Sequence, residues 1–492
     1  MPTRDVSKQD EESILGASLT DVFFRTDAVS WHDKRCERRW KKLLDAKQAN
    51  PKVHATECYT NSAELKAYYH TMNNPRFDDI TLLPGFRAAA LDHASRTNAT
   101  TILVPCDTTQ VSFNASKGVP TRHGLARFTS GSQGFFTHTA LALTSEPPFL
   151  PLGVLDLHHF VLDSDLDHDA ARSFWTERHG LWEKKQERWT SRIFEVEKLL
   201  EDSPVEALYV LDREGDSFAD MVRYRDRSCR FIIRACHLER KLPKRIGQAF
   251  ELGELEHELE SLGSCQMEVQ ERTAQHASGT TYRPRAAREA RFEIRSSRVR
   301  FEAPESCEEA YQGRQLEVWA VWASEVEPPD GEEPMKWVLL TTEEAKTYEQ
   351  ARMLLAQYAG RWKIEELFKC LKSGTNYEER QLESVEGLLK EESLSFAVAL
   401  TLLAVRDWGR ARPKAPASQL LTELELEVLQ ALTPSAKWSK KATCGEVLFG
   451  LARLGGWVKR KDRPPGWIIL GRAYIKLQDA VRVWKVARGL PL

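Results

Sequence analysis

The spacing of hydrophobic residues changes along the chain and predicts helices at both ends with a sheet between them. Apolar residues three or four positions apart predict helices from about residue 10 to 75 and again at 85–96. Short apolar runs bounded by turn residues, which are typical of buried strands, lie at 101–106, 137–144, 152–161 and 208–211. The segment 231–340 also alternates in a way that favours strands. The sequence therefore predicts an α/β fold.

Helical stretches interrupt and follow these strands, and together they suggest three domains. The stretches cover 174–200, 349–372 and most of 385–492. At 492 residues the chain has room for about three domains. The boundaries that we predict are an N-terminal helical domain at 1–78, a central α/β domain at 79–384 with a β-rich insertion at about 240–335, and a C-terminal helical domain at 385–492.

Composition narrows the class of protein. Apolar residues make up 41% of the chain and charged residues 29%, which is typical of a globular protein. The longest apolar run, Phe396–Val405, falls short of the ~20 residues that a membrane span needs, so we expect no membrane partner. Nine scattered cysteines without a CxxC pair indicate reduced thiols. Together with the absence of an apolar leader near Met1, this predicts a cytoplasmic protein.

Charge is unevenly distributed although the net charge is only −2. Basic residues cluster at Lys34–Lys42, Arg283–Arg300 and Lys437–Arg463. Any one of these clusters is equally well explained as a solvated surface. Three clusters in a near-neutral chain also fit localised contacts with phosphates, as in a nucleic-acid-binding protein.

Two of the predicted strands stop at an aspartate. The sequences LVPCDTTQ and LYVLDREGD place Asp107 and Asp212 directly after buried apolar runs. A carboxylate at the end of a strand is rigidly held and can coordinate a metal ion. Taken singly, each aspartate is explained as well by a turn or a helix cap.

The helix predicted at 349–372 carries a second group of polar residues. Tyr358, Arg361, Glu365 and Lys372 fall on one stripe, about 60° wide at ~100° per residue. An apolar face formed by Ile364, Leu367, Phe368 and Leu371 lies beside that stripe. A solvated amphipathic helix with a lattice of charges explains this pattern too.

Taken together, the two aspartates and the helical glutamate match the needs of two-metal phosphoryl transfer. Such sites hold two Mg²⁺ ions ~4 Å apart, which stabilise the attacking and leaving oxygens of an in-line displacement. Hard cations of this kind prefer oxygen ligands. Arg361 and Lys372 beside Glu365 would then grip DNA phosphates near the cut.

These residues are also the basis of a family resemblance. The pattern Y-x2-R-x3-E-x6-K from Tyr358 to Lys372 resembles the signature of the insertion-sequence-four family of DDE transposases. Further blocks resemble that family in the same order: DTTQVS at Asp107, DREGD at Asp212, RFIIR ending at Arg234 and KWVLLT around Trp337. The resemblance covers nearly the whole chain.

The resemblance implies a ribonuclease-H-like catalytic core and a cut-and-paste DNA transposase. Asp107, Asp212 and Glu365 would be the catalytic residues and the ligands of two Mg²⁺ ions, for which Mn²⁺ would substitute. Tyr358, Arg361 and Lys372 would contact DNA near the scissile phosphate. Cleavage would pass through a DNA hairpin in which a flipped base stacks on Trp337, with Arg234 helping to hold it.

The resemblance also implies partners for the two helical domains. The N-terminal domain would read the terminal inverted repeats of double-stranded DNA through the segment 56–69 and the cations Lys34, Arg35, Arg38 and Lys42. Helices near 475–490 would pair two protomers as a homodimer in a synaptic complex that also engages target DNA. Cys236 lies where a basic residue is expected, which predicts a weaker grip on DNA there.

Two alternative functions remain open from the sequence. A ribonuclease-H-like nuclease would cut DNA without strand transfer, although hydrolysis alone needs neither Trp337 nor the full stripe from Tyr358 to Lys372. A captured transposase would only bind DNA as a regulator, although all three carboxylates are present. For Trp337 itself, the alternative role is that of a core aromatic residue in a strand.

Overall fold

The computed structural model describes most of the chain. The described residues are 23–59, 61–113, 124–128, 132–162, 166, 169–178, 187–242, 251–269, 271, 275–277, 280–282, 284–458 and 465–490. The predicted basic cluster at 437–463 lies partly outside these residues. The helix predicted at 174–200 is found as two helices, and residues 179–186 between them lie outside the described part.

Strands and helices occur together in the middle of the chain, and helices predominate at both ends. The strands are β1 (Thr101–Phe113), β2 (Ala126–Arg127), β3 (Gln133–Thr144), β4 (Pro151–Phe160), β5 (Glu206–Leu211), β6 (Arg230–Arg234), β7 (Gly263–Val269), β8 (Gln275–Ala277), β9 (Thr280–Tyr282), β10 (Arg288–Glu302), β11 (Gln315–Glu325) and β12 (Lys336–Thr341). The helices are α1 (Lys34–Ala49), α2 (Ala55–Cys58), α3 (Ser62–Met72), α4 (Asp79–Arg96), α5 (Asp169–Arg178), α6 (Glu187–Leu200), α7 (Phe218–Asp226), α8 (Leu252–Leu255), α9 (Tyr348–Gly360), α10 (Trp362–Lys369), α11 (Val385–Ala411), α12 (Glu423–Leu432), α13 (Cys444–Leu454) and α14 (Trp467–Ala487). The predicted α/β class is confirmed.

One mixed sheet of ten strands organises the described part of the chain. Its first half has the order β4-β3-β1-β5-β6. Strands β1, β3 and β4 are antiparallel neighbours, as short connections allow, whereas β5 pairs parallel to β1 and β6 parallel to β5. Parallel pairing needs crossover connections, and helices α6 and α7 lie within them.

The strands expected as an insertion at 240–335 continue this same sheet. Strand β12 pairs antiparallel with β6, and β11, β10 and β7 follow in turn. Strands β8 and β9 form a separate two-stranded hairpin. The predicted β-rich character of this segment is therefore confirmed. Its role as a separable insertion, like the three domain boundaries, stays a prediction.

Two apolar cores lie on opposite faces of the sheet. One contains Leu103, Leu208 and Val210 and continues without interruption into the N-terminal and C-terminal helices. The other contains Ile102, Val104 and Tyr209 and packs against α6 and α7. Helix α11 runs through the first core and is buried along nearly its whole length. Its central stretch, Phe396–Val405, is apolar apart from Thr401, as expected of a helix that is buried on all sides.

The longest apolar stretch of the sequence is used inside this core. Phe396–Val405 lies within α11, and each of its residues is buried. No helix in the described ranges is long and apolar enough to cross a membrane.

Candidate active site

Asp107 and Asp212 lie side by side at the point where two parallel strands stop pairing. The last paired residues of β1 and β5 are Pro105 and Val210, and each aspartate lies two residues further along its strand. Because side chains alternate along a strand, both aspartates share the face of Leu103 and Leu208. The two carboxylates are therefore brought to one edge and one face of the sheet.

The prediction that Asp107 ends its strand is wrong. Strand β1 continues to Phe113, and Asp107 lies within it, opposite Thr139 of β3. The strand continues because β3 pairs with it over almost its full length, including the part beyond β5. Asp212 does follow the end of β5 directly, and its side chain accepts a hydrogen bond from the N–H of Glu214.

Glu365 is presented by a helix that begins and ends near the predicted bounds. Thr347 caps α9 in a capping box with Gln350, which satisfies the first free N–H groups. Arg361 lies between α9 and α10 and has a right-handed helical backbone, so the two helices form one continuous helical run. A π-helical turn, Cys370–Gly374, closes the helix at the expected glycine. Such turns are rare and are frequent at functional sites.

Arg361 joins two of the three carboxylates. One guanidinium nitrogen lies 2.8 Å from Asp107 Oδ2, and the other lies 2.8 Å from Glu365 Oε1. The second oxygen of Asp107 accepts the N–H of Thr108 at 2.7 Å. The cation thus occupies the space between a sheet carboxylate and a helix carboxylate, and it compensates their charge.

The pKa values of Asp107 and Glu365 are nonetheless raised. Burial raises the pKa of Asp107 against the opposing effect of Arg361, and with smaller contributions from the charges of Asp212 and Glu365 the pKa reaches about 6. Burial likewise raises the pKa of Glu365, again opposed by Arg361, and Asp212 adds to that rise. Buried negative charge in excess of the available cations is the electrostatic setting that a bound cation would relieve.

The donor set fits hard divalent cations in its chemistry. All three side chains offer carboxylate oxygens on one face of the sheet, which Mg²⁺ and Mn²⁺ prefer. As it stands, no group of three His, Cys, Asp or Glu side chains within the described residues has the geometry to hold a metal ion. Arg361 explains this for two of them, because its guanidinium lies between Asp107 and Glu365. Binding a cation there requires Arg361 to move.

Lys372 extends the polar stripe along β1 beyond the carboxylates. Its ammonium donates to the carbonyl oxygen of Gln110 at 2.5 Å and lies 3.3 Å from Glu378 Oε1. Glu378 in turn accepts the N–H of Ser112. The predicted cation therefore contacts the same strand as Asp107, at Gln110, three residues further along β1.

Trp337, Tyr358 and Arg234 come together at the side of this site. The Trp337 and Tyr358 rings meet edge to face, with centroids 5.3 Å apart. The Arg234 guanidinium lies 5.9 Å from the Trp337 ring. Trp337 is half-buried, and its indole N–H has no hydrogen-bond partner within the described part of the chain. The aromatic pair is linked to the carboxylates through α9, which carries Tyr358 just before Arg361.

The four N-terminal cations lie apart from the carboxylates, on α1. Lys34, Arg35, Arg38 and Lys42 are all exposed, whereas Trp40 and the other apolar residues of α1 pack inward. Asp33 caps the helix by accepting the N–H groups of Arg35 and Cys36. The exposed face of α1 is therefore available to a phosphate backbone.

Two further buried residues lie near the site. Asp216 is buried, and its carboxylate accepts the N–H groups of Cys236 and His237 and pairs with Arg240 at 2.5 Å. It therefore holds the loop that follows β6. Thr139 is buried directly across from Asp107. The DREGD motif contains Asp216, whereas no sequence pattern singles out Thr139.

No known protein family matches the chain in a scan against family models.

Proposed function

We propose that this chain is a DDE-type DNA transposase that carries out cut-and-paste transposition. Water would nick one strand at the element end, and the freed 3′-hydroxyl would attack the opposite strand to form a hairpin. Water would reopen the hairpin, and the 3′-hydroxyl would then attack target DNA. Each step is an in-line displacement at phosphorus that uses the same carboxylates.

The observation that carries the proposal is the convergence of Asp107, Asp212 and Glu365. Two come from neighbouring parallel strands at equivalent positions of the register, and the third from a helix packed on the same face. Arg361 links Asp107 to Glu365 directly. Three carboxylates from distant parts of the chain, with a basic residue among them, suit metal-assisted chemistry on a phosphodiester.

The order of the central strands supports a ribonuclease-H-like core. An antiparallel meander, β4-β3-β1, is followed by the parallel strands β5 and β6. This is the order expected of such a core, with the first aspartate on the central strand and the second after the neighbouring strand. The longer sheet, with β12 to β7 added, fits a β-rich segment between the second aspartate and the glutamate.

The residues present would divide the work between holding cations and holding DNA. Asp107, Asp212 and Glu365 would hold two Mg²⁺ ions, which would stabilise charge on the attacking and leaving oxygens. Arg361 would release the carboxylates and contact a phosphate near the cut, where its planar guanidinium gives bidentate contacts. Lys372, held beside β1 at Gln110, would place a second positive charge on DNA phosphates near the cut.

The aromatic group at Trp337 supports a route through a hairpin rather than simple hydrolysis. A tight hairpin strains base stacking, and a base turned outward can stack on an indole ring. Tyr358 and that indole pack edge to face, and the Arg234 guanidinium lies 5.9 Å from the centre of the indole ring. Hydrolysis alone requires no such platform, which favours a transposase over a nuclease.

The ends of the chain fit the partners that a transposase requires. The exposed cations of α1 suit the backbone of double-stranded terminal repeats. On α14, Val483 and Val486 are exposed apolar residues, and such residues favour contact with a second copy of the chain. A homodimer bridging two DNA ends is therefore part of the proposal.

A cleavage assay tests this function. The purified protein is incubated with Mg²⁺ and duplexes carrying the ends of the element in which its gene lies, and products are resolved on a denaturing gel. We expect hairpin-ended fragments from the native chain and at least a hundredfold fewer from Glu365→Gln. The control is Glu349→Gln, which changes an exposed glutamate on the same helical run and should leave cleavage unchanged.

The products distinguish the alternatives. Cleavage without hairpins would indicate a nuclease, and binding without cleavage a DNA-binding regulator. Equal cleavage by Glu365→Gln and the native chain would exclude the three-carboxylate site.

A further inference from the structure

A buried hydroxyl group lies directly across from Asp107. Thr139 of β3 is the cross-strand neighbour of Asp107, and its side chain is fully buried at 0% exposure. Its Oγ1 has no hydrogen-bond partner among the residues that the structure describes. Paired residues of an antiparallel sheet point to the same face, with Cβ atoms about 4.5–5.5 Å apart. The hydroxyl therefore lies within reach of the Asp107 carboxylate.

An unpartnered hydroxyl in such a place is costly. Leaving a buried polar group unsatisfied costs about 1–3 kcal/mol, and valine would fill nearly the same volume without that penalty. The next residue on the same face, Thr137, is equally buried but donates to Glu392 Oε1 at 2.9 Å. Thr137 thus has a structural use for its hydroxyl, whereas Thr139 has none among the described residues.

In its present orientation, Asp107 accepts hydrogen bonds from groups other than Thr139. Asp107 Oδ1 accepts the N–H of Thr108, and Oδ2 accepts the guanidinium of Arg361. Each carboxylate oxygen can accept a second hydrogen bond. Asp107 therefore retains acceptor capacity, which Thr139 can meet when the carboxylate turns away from Arg361.

We propose that Thr139 is a positioning residue for Asp107 in the cation-bound state. The inference rests on the proposed function, because it assumes that Asp107 binds a divalent cation. When Arg361 releases Asp107, the Thr139 hydroxyl donates to the carboxylate oxygen that does not face the cation. This hydrogen bond fixes the carboxylate plane, as the outer hydrogen bonds of metal ligands commonly do. The Thr139 hydroxyl therefore has a hydrogen-bond partner in the cation-bound state and lacks one, among the described residues, in the metal-free state.

The test measures cation binding and stability separately. The full-length protein is titrated with Mn²⁺, free Mn²⁺ is followed by electron paramagnetic resonance, and thermal unfolding is recorded without metal. We expect Thr139→Val to weaken Mn²⁺ binding about tenfold while its metal-free Tm stays equal or rises. Thr139→Ser keeps the hydroxyl and should bind Mn²⁺ like the native chain.

Thr137→Val is the matched control, with the same substitution two residues away on the same face. It should lower the Tm, because Glu392 loses a donor, and leave Mn²⁺ affinity unchanged. Native affinity in Thr139→Val would overturn the inference, and so would a lowered metal-free Tm, which would mean that the hydroxyl has a structural partner. The native chain should bind Mn²⁺, and Glu365→Gln should abolish that binding. If the native chain bound no Mn²⁺, or if Glu365→Gln bound it equally well, the proposed function would fail together with the inference.

Discussion

Arg361 neutralises two of the three carboxylates of the site, which no other residue described there does. Its side chain is only 12% exposed, and it satisfies Asp107 and Glu365, which are themselves 19% and 27% exposed. Breaking a largely buried pair leaves uncompensated charge, which costs more than the pair itself contributes. Arg361 therefore stabilises the metal-free protein, and in our proposal it competes with cations for the same oxygens.

Replacing Arg361 separates these two effects. We expect Arg361→Gln to lower the Tm of the metal-free protein, because Asp107 and Glu365 then face each other without a cation. We also expect Mg²⁺ to raise the Tm of this variant by more than it raises that of the native chain, since ligand binding adds stability and the competitor is gone. Differential scanning fluorimetry with and without Mg²⁺ measures both shifts.

Arg488→Gln provides the comparison. Arg488 makes a two-pronged pair with Glu427, at 3.1 and 2.8 Å, but both side chains are about half exposed. Exposed pairs contribute only about 0–1 kcal/mol, so this variant should change the Tm little at either Mg²⁺ concentration. An equal response of Arg361→Gln and the native chain to Mg²⁺ would contradict a competition between the guanidinium and the cation.

Single-residue patterns predicted only part of this site. Asp107, Asp212 and Glu365 stood out because a run of apolar residues or a helical stripe is a local feature of the sequence. That Arg361 would bridge Asp107 and Glu365 was not predicted, because the distance between β1 and α10 depends on tertiary packing. Thr139 depends on the register of β1 against β3, which is set by pairing over 30 residues apart.

At the scale of elements, α10 is fixed on its outer side by charged groups of α11. Glu366, next to Glu365, lies 2.6 Å from Arg406, and Lys363 lies 2.6 Å from Asp407. Arg406 also contacts Asp407 at 3.0 Å, and its guanidinium stacks 3.8 Å from the Trp467 ring at the start of α14. The helix that presents Glu365 is therefore tied to two C-terminal helices.

Removing the centre of this network tests how strongly the helices are joined. We expect Arg406→Ala to destabilise the protein by about 3–5 kcal/mol, because Glu366 and Asp407 lose their shared buried partner. Urea denaturation followed by circular dichroism measures the change. Arg410→Ala, one turn later and exposed on the same helix, should stay within about 0.5 kcal/mol of the native chain. Similar losses in both variants would contradict a specific role for the network.

Element lengths were harder to predict than element types. The end of β1 was placed at Asp107 because the apolar run stops there, yet the strand continues to Phe113. Pairing with β3 supplies the hydrogen bonds of this polar half, and that partner is not visible from the run itself. The helix from 349 onward was predicted closely, because its cap and its closing glycine are local signals.

At the scale of the whole molecule, three consecutive charged residues of α11 connect the described parts of the chain. Lys390 donates to the carbonyl oxygens of Met72, the last residue of α3, and of Asn74, two residues later. Glu391 accepts from Lys47 of α1 and Tyr68 of α3. Glu392 accepts a hydrogen bond from Thr137 of β3, a strand of the sheet. Successive helical residues point about 100° apart, which lets one short segment bind several neighbours.

The sheet side of this connection contains a buried histidine between two carboxylates. His159 of β4 lies 2.6 Å from Asp79 of α4 and 2.7 Å from Glu392. Burial lowers the pKa of His159, but Glu392 and Asp79 outweigh it and raise the pKa to about 10. The imidazolium thus joins the start of α4, the sheet and α11.

The stability of this junction should depend on pH. The folded-state pKa of His159 lies above its ordinary value of 6.5, so its stabilising charge is fully present below pH 6.5 and is lost as the pH rises through about 10. We expect the native chain to have a higher Tm than His159→Gln near pH 6.5, and the difference to narrow steadily toward pH 10. Thermal unfolding of both proteins across this range measures it, with His32→Gln, at an exposed histidine, as the control. A difference that stays constant with pH would mean that His159 is neutral in the fold and that its two carboxylates are stabilised by other donors.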